Sequence, residues 1–145
     1  MISIGEIDCR IDEGIIKTHL KTGKSIDDLI NKTVDGYINF VESNVKIYKH
    51  KTAYFTVPAP MPQTVNNEIN KNSEKDLNAL RVKVVKKFNE KLKSKVSEYK
   101  SSVIDTYSLT KNETGSSNFK FMIDEFHLSP SILPKIKDQI LHQTI

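Results

Sequence analysis

Several things are scarce in this chain. It has no tryptophan, a single cysteine and two arginines in 145 residues. The lone Cys9 excludes an internal disulfide and any metal site built on cysteine pairs. No basic-then-apolar leader opens the sequence, and together with the cysteine count this predicts a reducing compartment, the cytoplasm. No apolar run approaches the roughly 18 residues of a membrane span, so membrane insertion is not expected. All but two of the 22 basic residues are lysine. Base readout and base stacking favour arginine and exposed aromatics, so the net charge of +4 reads as lysines on solvated helix faces. Nucleic-acid binding is disfavoured on that ground.

What remains is an ordinary globular composition, 37% hydrophobic and 28% charged, long enough for one core. No internal repeat or second domain is visible, so residues 1–145 are expected to form one unit. Residues 1–7 read as a short buried strand that ends at Asp8-Cys9-Arg10, where charged and small side chains gather. Gly14 and Gly23 punctuate a loop or short helix over residues 15–20. Ser25 and Asp28 form a capping-box-like helix start. Behind them Ile26, Leu29, Ile30, Val34, Tyr37, Ile38, Val41 and Val45 recur at helical spacing, predicting a helix to about Tyr48.

Residues 52–57 are β-rich and are stopped by Pro58, Pro60 and Pro62. Residues 63–72 are polar and aperiodic, a long surface loop. A second capping pattern at Ser73 opens a helix whose stripe is Leu77, Leu80, Val84, Phe88, Leu92, Val96 and Tyr99, with lysines on its other faces. Residues 102–107 are the third strand. The last helix is expected to be capped by Ser129 or Ser131, with Pro134 in its first turn and Ile132, Leu133, Ile136, Ile140 and Leu141 facing inward. Strand and helix alternate three times, which predicts parallel strands with right-handed crossovers and helices on both faces.

One motif carries chemistry. Asp124-Glu125-Phe126-His127 places an acid three residues before a histidine in a loop, just ahead of a helix. In a tight loop the carboxylate can return to a ring nitrogen, orient the imidazole and stabilise its charged form. The other nitrogen is then left as a general base. The alternative is that Asp124 caps a turn and His127 is a surface residue. His19, His50 and His142 lie among polar residues without ligand spacing, so neither a metal nor a cofactor is expected.

Asp124-Glu125-Phe126-His127-Leu128-Ser129-Pro130 resembles the C-terminal Asp-x-x-His signature of the SGNH hydrolases, also called GDSL lipases and esterases. Phe88-Asn89-Glu90-Lys91-Leu92 and Val103-Ile104-Asp105 are similar to the helix and strand that precede that signature. Gly5-Glu6-Ile7-Asp8 falls where the family has Gly-x-Asn-Asp; Gly5 and Asp8 match, whereas Ile7 replaces the asparagine whose amide serves the oxyanion. Gly-Glu-Ile-Asp-Cys-Arg resembles a variant associated with glycan modification, in which Arg10 would bring positive charge to the site; a surface or capping role is the alternative.

The resemblance implies a three-layer α/β/α, flavodoxin-like parallel sheet lacking its first two strands. It spans the chain but only about the C-terminal two thirds of a family domain. It also implies Asp124 and His127 as catalytic acid and base, with Gly5, Asp8 and Arg10 in the oxyanion or substrate region. The expected reaction is serine-dependent hydrolysis of an ester, such as a sugar O-acetyl group. The family's Gly-Asp-Ser nucleophile segment has no counterpart, and Ser3, Ser25, Ser73, Ser108 and Ser129 lack the surrounding elbow. Residues 1–7 would therefore be an open edge, expected to pair with an upstream segment or a second copy. A non-catalytic binding or assembly module, possibly glycan-related, and a lysine-driven nucleic-acid binder are the competing readings.

Overall fold

A computed structural model describes residues 2–48, 52–64 and 74–143. The elements are β1 (Ile2–Ser3), α1 (Gly14–Thr22), α2 (Ile26–Tyr48), β2 (Ala53–Phe55), α3 (Glu74–Val96), β3 (Ser102–Ile104), α4 (Thr106–Thr110) and α5 (Leu133–Gln143). Short 3-10 turns occupy Ile7–Cys9, Phe119–Phe121 and Pro130–Ile132.

The two long helices form for the reasons their spacing gives. Ser25 Oγ accepts from the Asp28 N–H at 3.4 Å, and Ile30, Val34, Ile38 and Val41 bury one face of α2. On α3, Leu77, Val84, Val85, Phe88, Leu92 and Val96 are buried against it. Lys87–Asp27 and Lys91–Asp35 ion pairs at 2.7 and 3.0 Å run along the rim of this helix pair. The cap expected at Ser73 and most of the loop expected over residues 63–72 fall outside the described residues.

The expected three-layer, flavodoxin-like α/β/α architecture is not what forms. The described residues are 62% helical. The strands hold two or three residues each, paired in parallel in the order β1-β2-β3, too little to serve as the middle layer of a sandwich. Each is cut short for a local reason. After β1, Gly5 turns the chain with a φ of +91° and the 3-10 turn follows, so among the described residues the strand expected over residues 1–7 keeps only Ile2 and Ser3. Prolines follow β2. After β3 the Asp105 side chain accepts from the Ser108 N–H and opens α4, converting the expected strand end into a helix.

The residues after β2 cannot continue a ladder through three prolines, so side chains take over the pairing. Asn89, only 2% exposed on α3, accepts from the Val57 N–H and donates to the Val57 carbonyl, both at 2.8 Å, as a neighbouring strand would. Thr110 Oγ1 accepts from the Ala59 N–H at 2.9 Å, and the Pro60 carbonyl accepts from the Ser117 N–H at 2.9 Å. Arg81 donates to the Met61 carbonyl at 3.0 Å, and Asn78 brackets Gln63 through its N–H and carbonyl at 2.7 and 3.0 Å. The buried face of α3 is therefore apolar except at Arg81 and Asn89.

Burial is divided. The main cluster gathers α1, α2, α3, Tyr54 of β2 and the turn at Cys9. Ile104, Phe121 and Ile132 are buried outside it, where α5 meets β3 and the 3-10 turn at Phe119–Phe121 meets that at Pro130–Ile132. The last helix is less embedded than its sequence suggests: Ile132 is buried and Ile136 and Ile140 half-buried, but Leu133 and Leu141 are exposed. Among the described residues no helix is long and apolar enough to cross a membrane.

Candidate functional site

The Asp-x-x-His segment is a closed loop over residues 123–128. Met122 and Leu128 form an antiparallel bridge at its base, and the Ile123 N–H donates to the His127 carbonyl at 2.8 Å. Within it the Asp124 carboxylate turns back on its own chain. Its Oδ1 accepts from the Phe126 and His127 N–H groups, each at 2.8 Å, while Oδ2 lies 2.7 Å from His127 Nδ1. The Phe126 N–H, the His127 ring and the His127 N–H, in that order, hold the Asp124 carboxyl down at about 2, below the usual carboxylate range.

A carboxylate on Nδ1 favours the tautomer with its proton there, leaving Nε2 as the acceptor. That is the arrangement a general base needs. The side chains of His127 and Asp124 are 71% and 50% exposed, so the pair faces water rather than a closed pocket. Among the described residues no hydroxyl hydrogen-bonds the imidazole. Ser129 Oγ instead accepts from the Ser131 N–H at 3.3 Å, Ser25 caps α2, and Ser108 donates to Asp105 at 2.7 Å. Ser73 lies outside the described residues. The thiol of Cys9 is fully buried, and that burial pushes its pKa up, so it is not a substitute nucleophile.

The residues at the end of β1 divide. Gly5 is buried, and a Cβ there would lie 2.4 Å from the Phe88 ring and 2.8 Å from Val57, which with its positive φ explains the glycine by packing. Asp8 is half-buried, its pKa raised by that burial. It lines a groove of about 370 Å³ with Ile4, Gly5, Glu6, Ile7, Thr33 and Tyr37, a lining that includes no residue of the histidine loop. Arg10 does reach the loop: its guanidinium lies 4.1 Å from the centroid of the Phe126 ring. It is not free for a substrate anion, because Glu6 takes its Nη2 at 2.6 Å and its Nε at 3.0 Å.

Three residues that the motif reading passed over complete this corner. Glu6 also lies 3.7 Å from Arg81, whose guanidinium stands 5.4 Å from the other partner it shares with Arg10, the Phe126 ring. Arg81 is 3% exposed, and its Nε has no hydrogen-bond partner among the described residues. Glu125 accepts from Thr64 Oγ1 at 3.2 Å, tying the loop to the segment after β2. A signal for Arg81 was present: it is the one arginine on a lysine-rich helix, four residues from Leu77 and from Val85 on the buried stripe.

Among the described residues no group of three His, Cys, Asp or Glu side chains is placed to hold a metal ion. The chain matches no protein-family model, no curated protein and no solved structure.

Proposed function

We propose that Asp124 and His127 are the acid and base of an SGNH-type ester-hydrolysis site whose serine comes from a segment or partner beyond the described residues. The observation that carries this reading is the 2.7 Å contact between Asp124 Oδ2 and His127 Nδ1, which leaves Nε2 open toward solvent. The base would take the serine proton and return it to the leaving alcohol. The resulting acyl-enzyme is then hydrolysed by water. The substrate class is a small ester, such as an O-acetylated sugar. The reading rests on the loop and its chemistry, not on a sandwich fold.

Two features bear on the proposed partnership and on the activity of the chain alone. β1 ends the sheet order, so pairing at its free edge with the serine-bearing segment, or with a second copy, is the proposed partnership. Without nucleophile and oxyanion donors, each worth roughly 10²–10³ in rate, the isolated chain sits near background. We place it in the cytoplasm, consistent with a single buried thiol.

p-Nitrophenyl acetate hydrolysis tests the proposal, with the chain alone and with the in-frame sequence encoded before Met1. The expected result is turnover by the extended protein that His127→Ala removes. Turnover indifferent to His127→Ala overturns it; an upstream sequence without a serine elbow overturns the in-chain source and leaves only a partner. The exposure of the pair supports a second reading, a binding module that holds acetylated glycans without turning them over; glycan binding unaffected by His127→Ala favours it.

A further inference from the structure

We infer that Glu6, Arg81 and Phe126 form a positioning unit that aligns the Asp124–His127 pair against the end of β1. This deepens the hydrolase reading and rests on the pair being functional. Apart from its own internal bonds and the Glu125–Thr64 contact, the loop over residues 123–128 is anchored to the body by Phe126. Ile123 is 67% exposed, and Asp124 and His127 face water. Its half-buried side chains are Glu125, Phe126 and Leu128, and the ring of Phe126 is the part that meets the guanidiniums of Arg10 and Arg81.

Arg81 is the fixed end of the arrangement. It is buried on α3 and donates to the Met61 carbonyl at 3.0 Å. Arg10 closes on the ring from the turn after β1, and Glu6 sits between the two cations as their shared counter-charge. A guanidinium against an aromatic face is attracted by the ring quadrupole, and more strongly where water is excluded. The ring so held belongs to the residue whose own N–H donates to Asp124 Oδ1 at 2.8 Å. Position therefore passes from α3 through Arg81 to the Phe126 ring, from the Phe126 backbone to the Asp124 carboxylate, and from there to the imidazole. Among the described residues, Glu6 and Arg81 make no hydrogen bond or ion pair with either dyad residue; they act through Phe126.

The test reads the dyad directly. ¹³C-carboxyl NMR follows the Asp124 titration, and ring ¹H–¹⁵N spectra follow His127, in the wild type and in Phe126→Leu, Phe126→Tyr and Arg10→Met. Leucine fills much of the space but has no quadrupole. The expected result for Phe126→Leu is an Asp124 midpoint moved up from about 2 toward the ordinary carboxylate range, with altered His127 ring signals. Phe126→Tyr keeps the wild-type values. Arg10→Met, which leaves the buried Arg81 intact, shifts Asp124 in the same direction by less. An Asp124 midpoint and His127 ring signals unchanged in Phe126→Leu overturn the unit, whatever the esterase assay shows. A shifted titration in a protein that never hydrolyses esters leaves the unit standing and rejects the hydrolase reading instead.

Discussion

Asn89→Ala is the sharpest test of how the proline-rich segment is held. The amide of Asn89 is the hydrogen-bond partner of both the N–H and the carbonyl of Val57, each at 2.8 Å, and both residues are at most 3% exposed. Truncation leaves a buried donor and a buried acceptor with nothing in reach. Each unsatisfied group costs about 1–3 kcal/mol, so the loss is about 2–6 kcal/mol. With a urea slope near 2 kcal/mol per molar for a chain of this size, the unfolding midpoint falls by about 1–3 M. Asn78→Ala is the internal comparison. Asn78 makes the same kind of bracket around Gln63, but in a part-buried place where water can replace it. Its loss should be about 1 kcal/mol. Urea denaturation followed by far-ultraviolet circular dichroism gives both values. An Asn89→Ala loss below about 1 kcal/mol, or one no larger than that of Asn78→Ala, refutes the argument that α3 substitutes for a strand here.

Three further outcomes are expected. Gly5→Ala destabilises by more than about 2 kcal/mol in thermal denaturation, because its methyl meets the Phe88 ring at a positive φ; Gly36→Ala, with open space around it in α2, gains about 0.5–1 kcal/mol. The Asp124 carboxyl titrates near 2 by ¹³C NMR, and because its folded value lies below the unfolded one, its contribution to stability is present above the ordinary carboxylate range and lost as pH falls through about 2. His127→Ala raises that midpoint but leaves it low, since the Phe126 N–H is the larger cause. Cys9 resists an aromatic disulfide reagent in the folded protein and reacts as urea unfolds it, because the thiol is fully buried; prompt labelling of the native protein would contradict that burial.

Much of the helical structure was legible in the residues. The stripe from Ile26 to Val45 and the one from Leu77 to Val96 are long enough for the 3.6-residue period to speak without ambiguity, and α2 and α3 follow them. The strands were not. Residues 1–7 and 102–107 look like strands because they are apolar and β-branched, yet Gly5 and the capping carboxylate of Asp105 end each one early. Those are tertiary and capping effects that composition does not display, and they turned an expected sandwich into a mostly helical body. The loop geometry at Asp124 and His127 agreed with its spacing because an Asx-type turn is set by neighbours two and three residues away. Glu6, Arg81 and Phe126 were hidden for the opposite reason, since their meeting depends on three segments far apart in the chain.

The two separate regions of burial give the histidine loop an unusual mechanical situation. Its flanks run into Phe121 and Ile132, which belong to the minor region beside β3 and α5, while Phe126 reaches across to Arg81 on the main body. The loop therefore spans the two regions of burial, and if they open separately the geometry of its acid and base reads how they sit against each other. The expected order is that the minor region opens first, breaking the Phe126–Arg81 contact while α2 and α3 persist. Hydrogen exchange that protects residues 30–41 and 84–96 far more strongly than 119–132 is the signature of that order of events; equal protection would show a single cooperative unit.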